Sequence, residues 1–325
     1  MKIFNIIIEP LEERYSIQWA KWWQNEFRNQ HIESIIIKGD VLTSKVETGS
    51  FLDCHGTIYW KSEQLKTISQ YLKDKIIKDG DVLFFHDLWF PGIEGLAYIR
   101  DISGVDFKIA GYLHAGSYDP ADLLSQLNMQ RWVRGCEVSW LRLIDYVFVG
   151  SYYHKQLLID ICPLATNKIF PIGYPVLKED FFIESIKQKV VVFPHRLNIE
   201  KHPDLFDLLA CKLKDEAVFV KTKDVCKTKN EYYRLLAKAK VSVSFAEQET
   251  FGIAMVESAL MGCIPITPNK LSYIDTMPSE WQYDSFNKCI ELVRKALNTE
   301  NYVYHKELDY HPSTIVAKVL KEIAA

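Results

Sequence analysis

Two carboxylates and two cations stand out as the side chains of this sequence that could do chemistry together. Glu249 and Glu257 lie in "QETFGIAMVESALMGCIPITPN", separated by seven residues across the start of a helical pattern. That helix is expected to begin at Phe251 or Gly252, just after the strand "KVSVSFAE", and to stop at Gly262. Amides at a helix start carry partial positive charge, and a glycine there lets an anion approach them closely. Eight helical residues rise about 12 Å, roughly the span of one nucleotide diphospho-sugar. An ionised carboxylate only accepts hydrogen bonds, so the paired hydroxyls of a sugar or a ribose suit it. The same residues equally allow a plainer arrangement, with Glu249 as a favourable charge at the helix start and Glu257 as a solvated helix residue.

Arg196 and Lys201 follow another strand, in "FPHRLNIEKHPDLF", with four residues between them. Thirteen Lys and Arg face eight Asp and Glu between Phe181 and Lys240, in a chain whose net charge is -3. Two cations beyond a strand end could neutralise a diphosphate leaving group. Taken alone, a pair of surface cations is the simpler reading.

The elements that must position these residues are legible as an alternation of short β-branched runs and helical patterns, which indicates parallel sheet covered by helices on both faces. Six strands are expected in the first half, from "KIFNIII" to "KIFPIG", and four in the second, from "KVVVFPHRL" to "CIPITPN". Helices are expected at Ser16 to Asn29, Ser62 to Ile77 and Tyr152 to Ile161. The fold class is therefore α/β, with two doubly wound Rossmann-like domains, residues 1–180 and 181–325. A terminal helix from Pro312 to Ala325 is placed to return to the first domain. In such sheets ligands collect beyond the carboxyl ends of the strands, which is where Arg196, Lys201 and Glu249 fall, with Glu257 about a turn and a half inside the following helix.

Composition narrows the class further. Hydrophobic residues make up 48% and charged residues 25% of the chain, a globular mixture. The seven cysteines are scattered without a C-x-x-C pair, which points to a reduced, cytoplasmic protein with no metal knuckle and no disulfide framework. No run reaches the roughly 18 apolar residues of a membrane span. Asp79-Gly80-Asp81 precedes its strand and is expected to be a turn, not a metal-binding pair.

The Arg-x4-Lys spacing after the first strand of the second domain, followed by "ETFGIAMVESALMGCIPI", resembles the donor-binding half of retaining GT-B glycosyltransferases of family four, two domains facing a cleft. The likeness covers Val190 to Asn269 well, and "PNKLSYIDTMPSEWQY" is its most distinctive part, most similar to the queuosine-tRNA mannosyltransferase-like branch. Small viral enzymes that glycosylate DNA bases are the neighbouring class. The resemblance implies that Arg196 and Lys201 bind the diphosphate of a UDP- or GDP-sugar, that Glu249 holds the transferred sugar, and that Glu257 holds the ribose. Thr250, Phe251, Gly252 and Ile253 would line the donor, the last three through backbone amides. It also implies that His114, in "IAGYLHAGSYDP", sits beside the sugar and the reacting centre. No cofactor and no metal is implied.

The first half departs from the family's glycine-rich first loop. It carries "EPLEERYSIQW" instead, so Glu12, Glu13, Arg14 and Tyr15 become acceptor-side candidates, together with His86, Asp87 and Tyr118. An acidic helix start is an equal reading of the carboxylates. Arg131, Arg134, Arg142, Lys155 and Lys168 could meet nucleic-acid phosphates. The reaction expected is metal-independent hexosyl or pentosyl transfer to a modified nucleobase, with a hydroxymethylpyrimidine in DNA favoured over a tRNA base of the queuosine type or another small acceptor. A nucleotide-sugar epimerase and a non-catalytic sugar-nucleotide-binding module are the alternatives.

Overall fold

A computed structural model describes residues 1–10, 15–40, 54–300, 302–306 and 308–324. Two parallel sheets organise the chain. The first contains β1 (Ile3–Ile6), β2 (Ser34–Ile37), β3 (Val82–Phe85), β4 (Lys108–Tyr112), β5 (Tyr146–Val149) and β6 (Ile169–Pro171), in the order β2-β1-β3-β4-β5-β6. The second contains β7 (Gln188–Phe193), β8 (Val218–Lys221), β9 (Ala239–Val243), β10 (Ile264–Pro268) and β11 (Gln282–Tyr283), in the order β11-β10-β9-β7-β8. Both orders reverse direction once, at β1/β3 and at β7/β9. Such a reversal parts the loops beyond the strand ends and leaves room for a ligand.

The chain divides into two compact units. One comprises residues 1–150, 154–175 and 312–325, the other residues 151–153 and 176–311. Within the first unit, helix Pro312–Ala324 packs against helix Ser16–Asn29. It buries Ile315, Val316 and Val319, an i, i+1, i+4 stripe typical of one helix face.

Period-2 alternation assigns the strand residues of the first sheet to two different cores. Leu83 and Phe85 join Phe4, Ile109 and Val147 in a hydrophobic cluster on one face. Phe84 and His86 point the other way, where Trp19 packs edge-on and Trp23 tilted against His86 and Tyr112. β4 contains Gly111 because a Cβ there would lie 2.1 Å from the Phe85 carbonyl oxygen, so no larger residue fits between the strands.

The second sheet buries Val191, Phe193, Val241, Val243 and Ile266 against helices Pro203–Lys212 and Phe286–Asn298. Lys187, just before β7, braces the helical layer on the opposite side. Its Nζ donates to the carbonyls of Leu236 (3.1 Å), Ala239 (2.8 Å) and Met261 (2.6 Å). These carbonyls close helices Lys229–Lys238 and Ile253–Leu260, whose C-terminal ends carry unpaired acceptors and partial negative charge.

Candidate active site

The second unit brings Arg196, Lys201 and Glu249 together through two loops at the carboxyl ends of β7 and β9. Beyond Phe193 the chain runs through Pro194 and His195 into a short 3-10 turn, Ile199–Lys201. His202, at φ 53°, then redirects it into helix Pro203–Lys212, which opens on a proline that needs no amide partner. Arg196 donates from Nε (3.0 Å) and Nη2 (2.7 Å) to one oxygen of the buried Glu200. The Arg196 side chain stays 46% exposed, and its guanidinium has N–H groups beyond those bonded to Glu200.

Lys201 is buried. Its ammonium donates to the Gln248 carbonyl and lies 3.4 Å from both Gln248 Oε1 and Glu249 Oε2. The Glu247 amide donates to the Glu200 carbonyl at 2.8 Å, a second tie between the same loops. Burial pushes the Glu249 carboxyl up, but the Lys201 charge and the Gly252 amide outweigh it and hold the group below its usual value. Glu249 is therefore ionised at neutral pH, with its orientation fixed by a cation and a backbone donor.

Gly252 leads into helix Ile253–Leu260 with φ 85°, a conformation that glycine alone adopts without strain. A Cβ there would also lie 2.8 Å from the Tyr273 ring, which is held by a 2.8 Å bond between its hydroxyl and Ser244 Oγ. Thr250 is buried and its carbonyl accepts from Ser151 Oγ at 2.7 Å. The Phe251 ring stands edge-on to Tyr310, with centroids 5.0 Å apart. The Thr250 carbonyl and the Phe251 ring thus anchor the loop ahead of the helix start. Ile253 is the first helical residue, so the helix starts one or two residues later than the sequence pattern indicated.

Glu257 is not a solvated helix residue. It is buried, with Oε1 accepting from the Tyr233 hydroxyl at 2.8 Å, Oε2 facing the Tyr232 hydroxyl at 3.4 Å, and Lys229 Nζ 3.9 Å away. Burial pushes the Lys229 ammonium down, opposed by the Glu257 charge. The helix that presents these three residues, Lys229–Lys238, is seated by a capping box between Thr228 and Glu231. Sequence reasoning missed Lys229, Tyr232 and Tyr233, as well as Glu200 and Gln248. The only local signal was the adjacent pair of tyrosines in a basic stretch.

No protein-family model matches the chain. The tRNA-queuosine alpha-mannosyltransferase of Drosophila melanogaster is 29% identical over 158 residues, covering 40% of this chain and 41% of that relative's own length. The UDP-forming alpha,alpha-trehalose-phosphate synthase of Burkholderia xenovorans superposes with a TM-score of 0.66 at 11% identity, over 100% of this chain and 99% of that one. Anabaena HepE, solved in complex with UDP and glucose, superposes with a TM-score of 0.60 at 12% identity, over 100% of both chains. The fold is GT-B.

In this GT-B chain the first-unit candidates are placed less favourably. Glu12, Glu13 and Arg14 lie outside the described residues. His114 donates from Nε2 to the His86 carbonyl at 2.6 Å, so its Nδ1 accepts from the Tyr15 hydroxyl at 3.1 Å. Both ring nitrogens are thus engaged within the first unit. The His86 side chain is fully buried, bonded through Nε2 to Asn5 Oδ1 at 2.8 Å and pushed down to about 3 by burial, so it lines no surface. Tyr118 is also interior, its hydroxyl 2.7 Å from His154 Nε2 and its ring part of the hydrophobic core. Asp87 is half-buried, accepting from the Trp89 amide at 3.0 Å and lying 3.4 Å from the Lys61 ammonium. Asp79 and Asp81 do form a turn, each carboxylate accepting backbone amides. A separate cavity of about 370 Å³ opens beyond β9, β10 and β11, lined in part by His202, Glu247, Lys270 and Asp284, and by none of the four donor-side charges.

Proposed function

We propose that this protein transfers a sugar from a nucleotide diphospho-sugar to a hydroxyl on a modified nucleobase, with retention of anomeric configuration. The observation that carries the reading is the Lys201 bridge to Glu249, which unites a cation for a diphosphate with a carboxylate for sugar hydroxyls at one set of strand ends. The acceptor oxygen bonds to the anomeric carbon while that carbon's bond to the phosphate oxygen breaks. The electron pair leaves with the diphosphate, which also takes the acceptor's proton. Arg196, Lys201 and the amides around Gly252 stabilise the charge that develops on the departing oxygens. Glu257, already ordered by Tyr233, accepts from the ribose hydroxyls through its remaining lone pairs.

The mannosyltransferase relative acts on tRNA by its name, and this favours an acceptor base in nucleic acid. Hydroxymethylpyrimidine DNA and queuosine-containing tRNA are both of that kind. The deciding experiment incubates the protein with UDP- and GDP-sugars and each nucleic acid, then measures nucleoside diphosphate release and the mass of the acceptor. Acceptor-dependent release with a matching mass increase supports transfer. Release without an acceptor product, or donor epimerisation, overturns it.

A further inference from the structure

His195 is the first polar side chain beyond β7 and lies between the strand end and the two cations. It is 4% exposed, with its ring edge-on to Phe193 at a centroid distance of 5.2 Å. Its Nε2 has no hydrogen-bond partner among the described residues. A buried ring nitrogen left without a partner is destabilising, and a fold retains such a group where something else completes the bond. The charged groups acting on the ring are Lys201, Glu249 and Arg196. Of these, Glu249 is already held by Lys201 and the Gly252 amide, and the Lys201 ammonium is turned toward Gln248 and Glu249, acting on a diphosphate chiefly through its charge. The remaining N–H groups of the part-exposed Arg196 and the unpartnered His195 nitrogen are then two donor-capable groups on adjacent residues with capacity left. Burial and the neighbouring Lys201 keep the imidazole neutral, pushed down to about 3, so it adds an N–H to the site without adding a charge.

We propose that His195 is a donor-binding residue whose Nε2–H donates to a phosphoryl oxygen of the nucleotide sugar's diphosphate. This rests on the reading of Arg196 and Lys201 as the diphosphate site. Arg196 and His195 would then grip the phosphates from consecutive positions of one loop, one as a charged fork and the other as a neutral single donor.

Calorimetric titration with UDP, GDP and the matching nucleosides tests this, using the whole chain as wild type, His195→Phe and His195→Gln. The wild type should bind one of the two diphosphates, and binding of neither removes the donor-site reading itself. His195→Phe should weaken diphosphate binding about tenfold or more while leaving nucleoside binding unchanged, and His195→Gln, which retains an N–H donor, should recover part of the loss. Wild-type diphosphate affinity in both variants overturns the proposal and leaves the donor site standing. If the variants fold poorly, the imidazole Nε2–H resonance of the wild type decides: it should shift when UDP or GDP is added, and an unmoved signal overturns the assignment.

Discussion

Removing the Lys201 ammonium would leave Glu249 partly buried without its cation, and the Gln248 carbonyl without its donor. Lys201→Met is therefore expected to lower donor turnover at least 100-fold and also to cost about 1–3 kcal/mol of stability, read from steady-state release of nucleoside diphosphate and from urea midpoints. Arg196→Lys keeps the charge but loses the forked contact to Glu200, so turnover should fall about tenfold with little change in midpoint. Equal activity of either variant and wild type contradicts its role. Arg196, Lys201 and Glu249 were legible in the sequence because strand ends and spacing announce them. Their partners were not. Tyr233 meets Glu257 across 24 positions and Lys201 meets Gln248 across 47, and no local pattern encodes such pairings.

Gly252 and Lys187 govern how helix Ile253–Leu260 begins and ends. Gly252→Ala should be destabilising by about 1–3 kcal/mol, because the positive φ and the Tyr273 ring both oppose a Cβ. A urea midpoint equal to wild type would show that the loop can rearrange. Lys187→Met removes the ammonium from three carbonyl acceptors, leaving only the weak Cys263 thiol donor near two of them, and should cost about 2 kcal/mol, measured the same way, without changing nucleotide affinity. The ten expected strands each coincide with an observed one, since near-continuous apolar runs in a doubly covered sheet are strong signals. β11 escaped because two residues, Gln282 and Tyr283, carry no period. Helix Cys54–Lys73 starts eight residues before the Ser62 at which its apolar pattern becomes regular.

The molecule as a whole carries a dependence on acid. His86, His154 and His195 are each pushed down to about 3 from 6.5, chiefly by burial. Between those values the unfolded chain binds more protons than the folded one, so unfolding free energy rises with pH across that window. Stability is complete above about pH 6.5 and is lost progressively as pH falls toward 3. Urea midpoints at pH 7.0 and 4.5 should differ clearly, and equal midpoints would contradict burial of neutral imidazoles. One arrangement also bears on how the chain is made. Helix Pro312–Ala324 belongs to the unit whose strands are synthesised first, yet it follows every strand of the other unit. On the ribosome, the surface of helix Ser16–Asn29 that it covers must wait bare while the second sheet emerges and closes. The unit begun first is then the one completed last, and a nascent chain stalled late would display that waiting surface to chaperones.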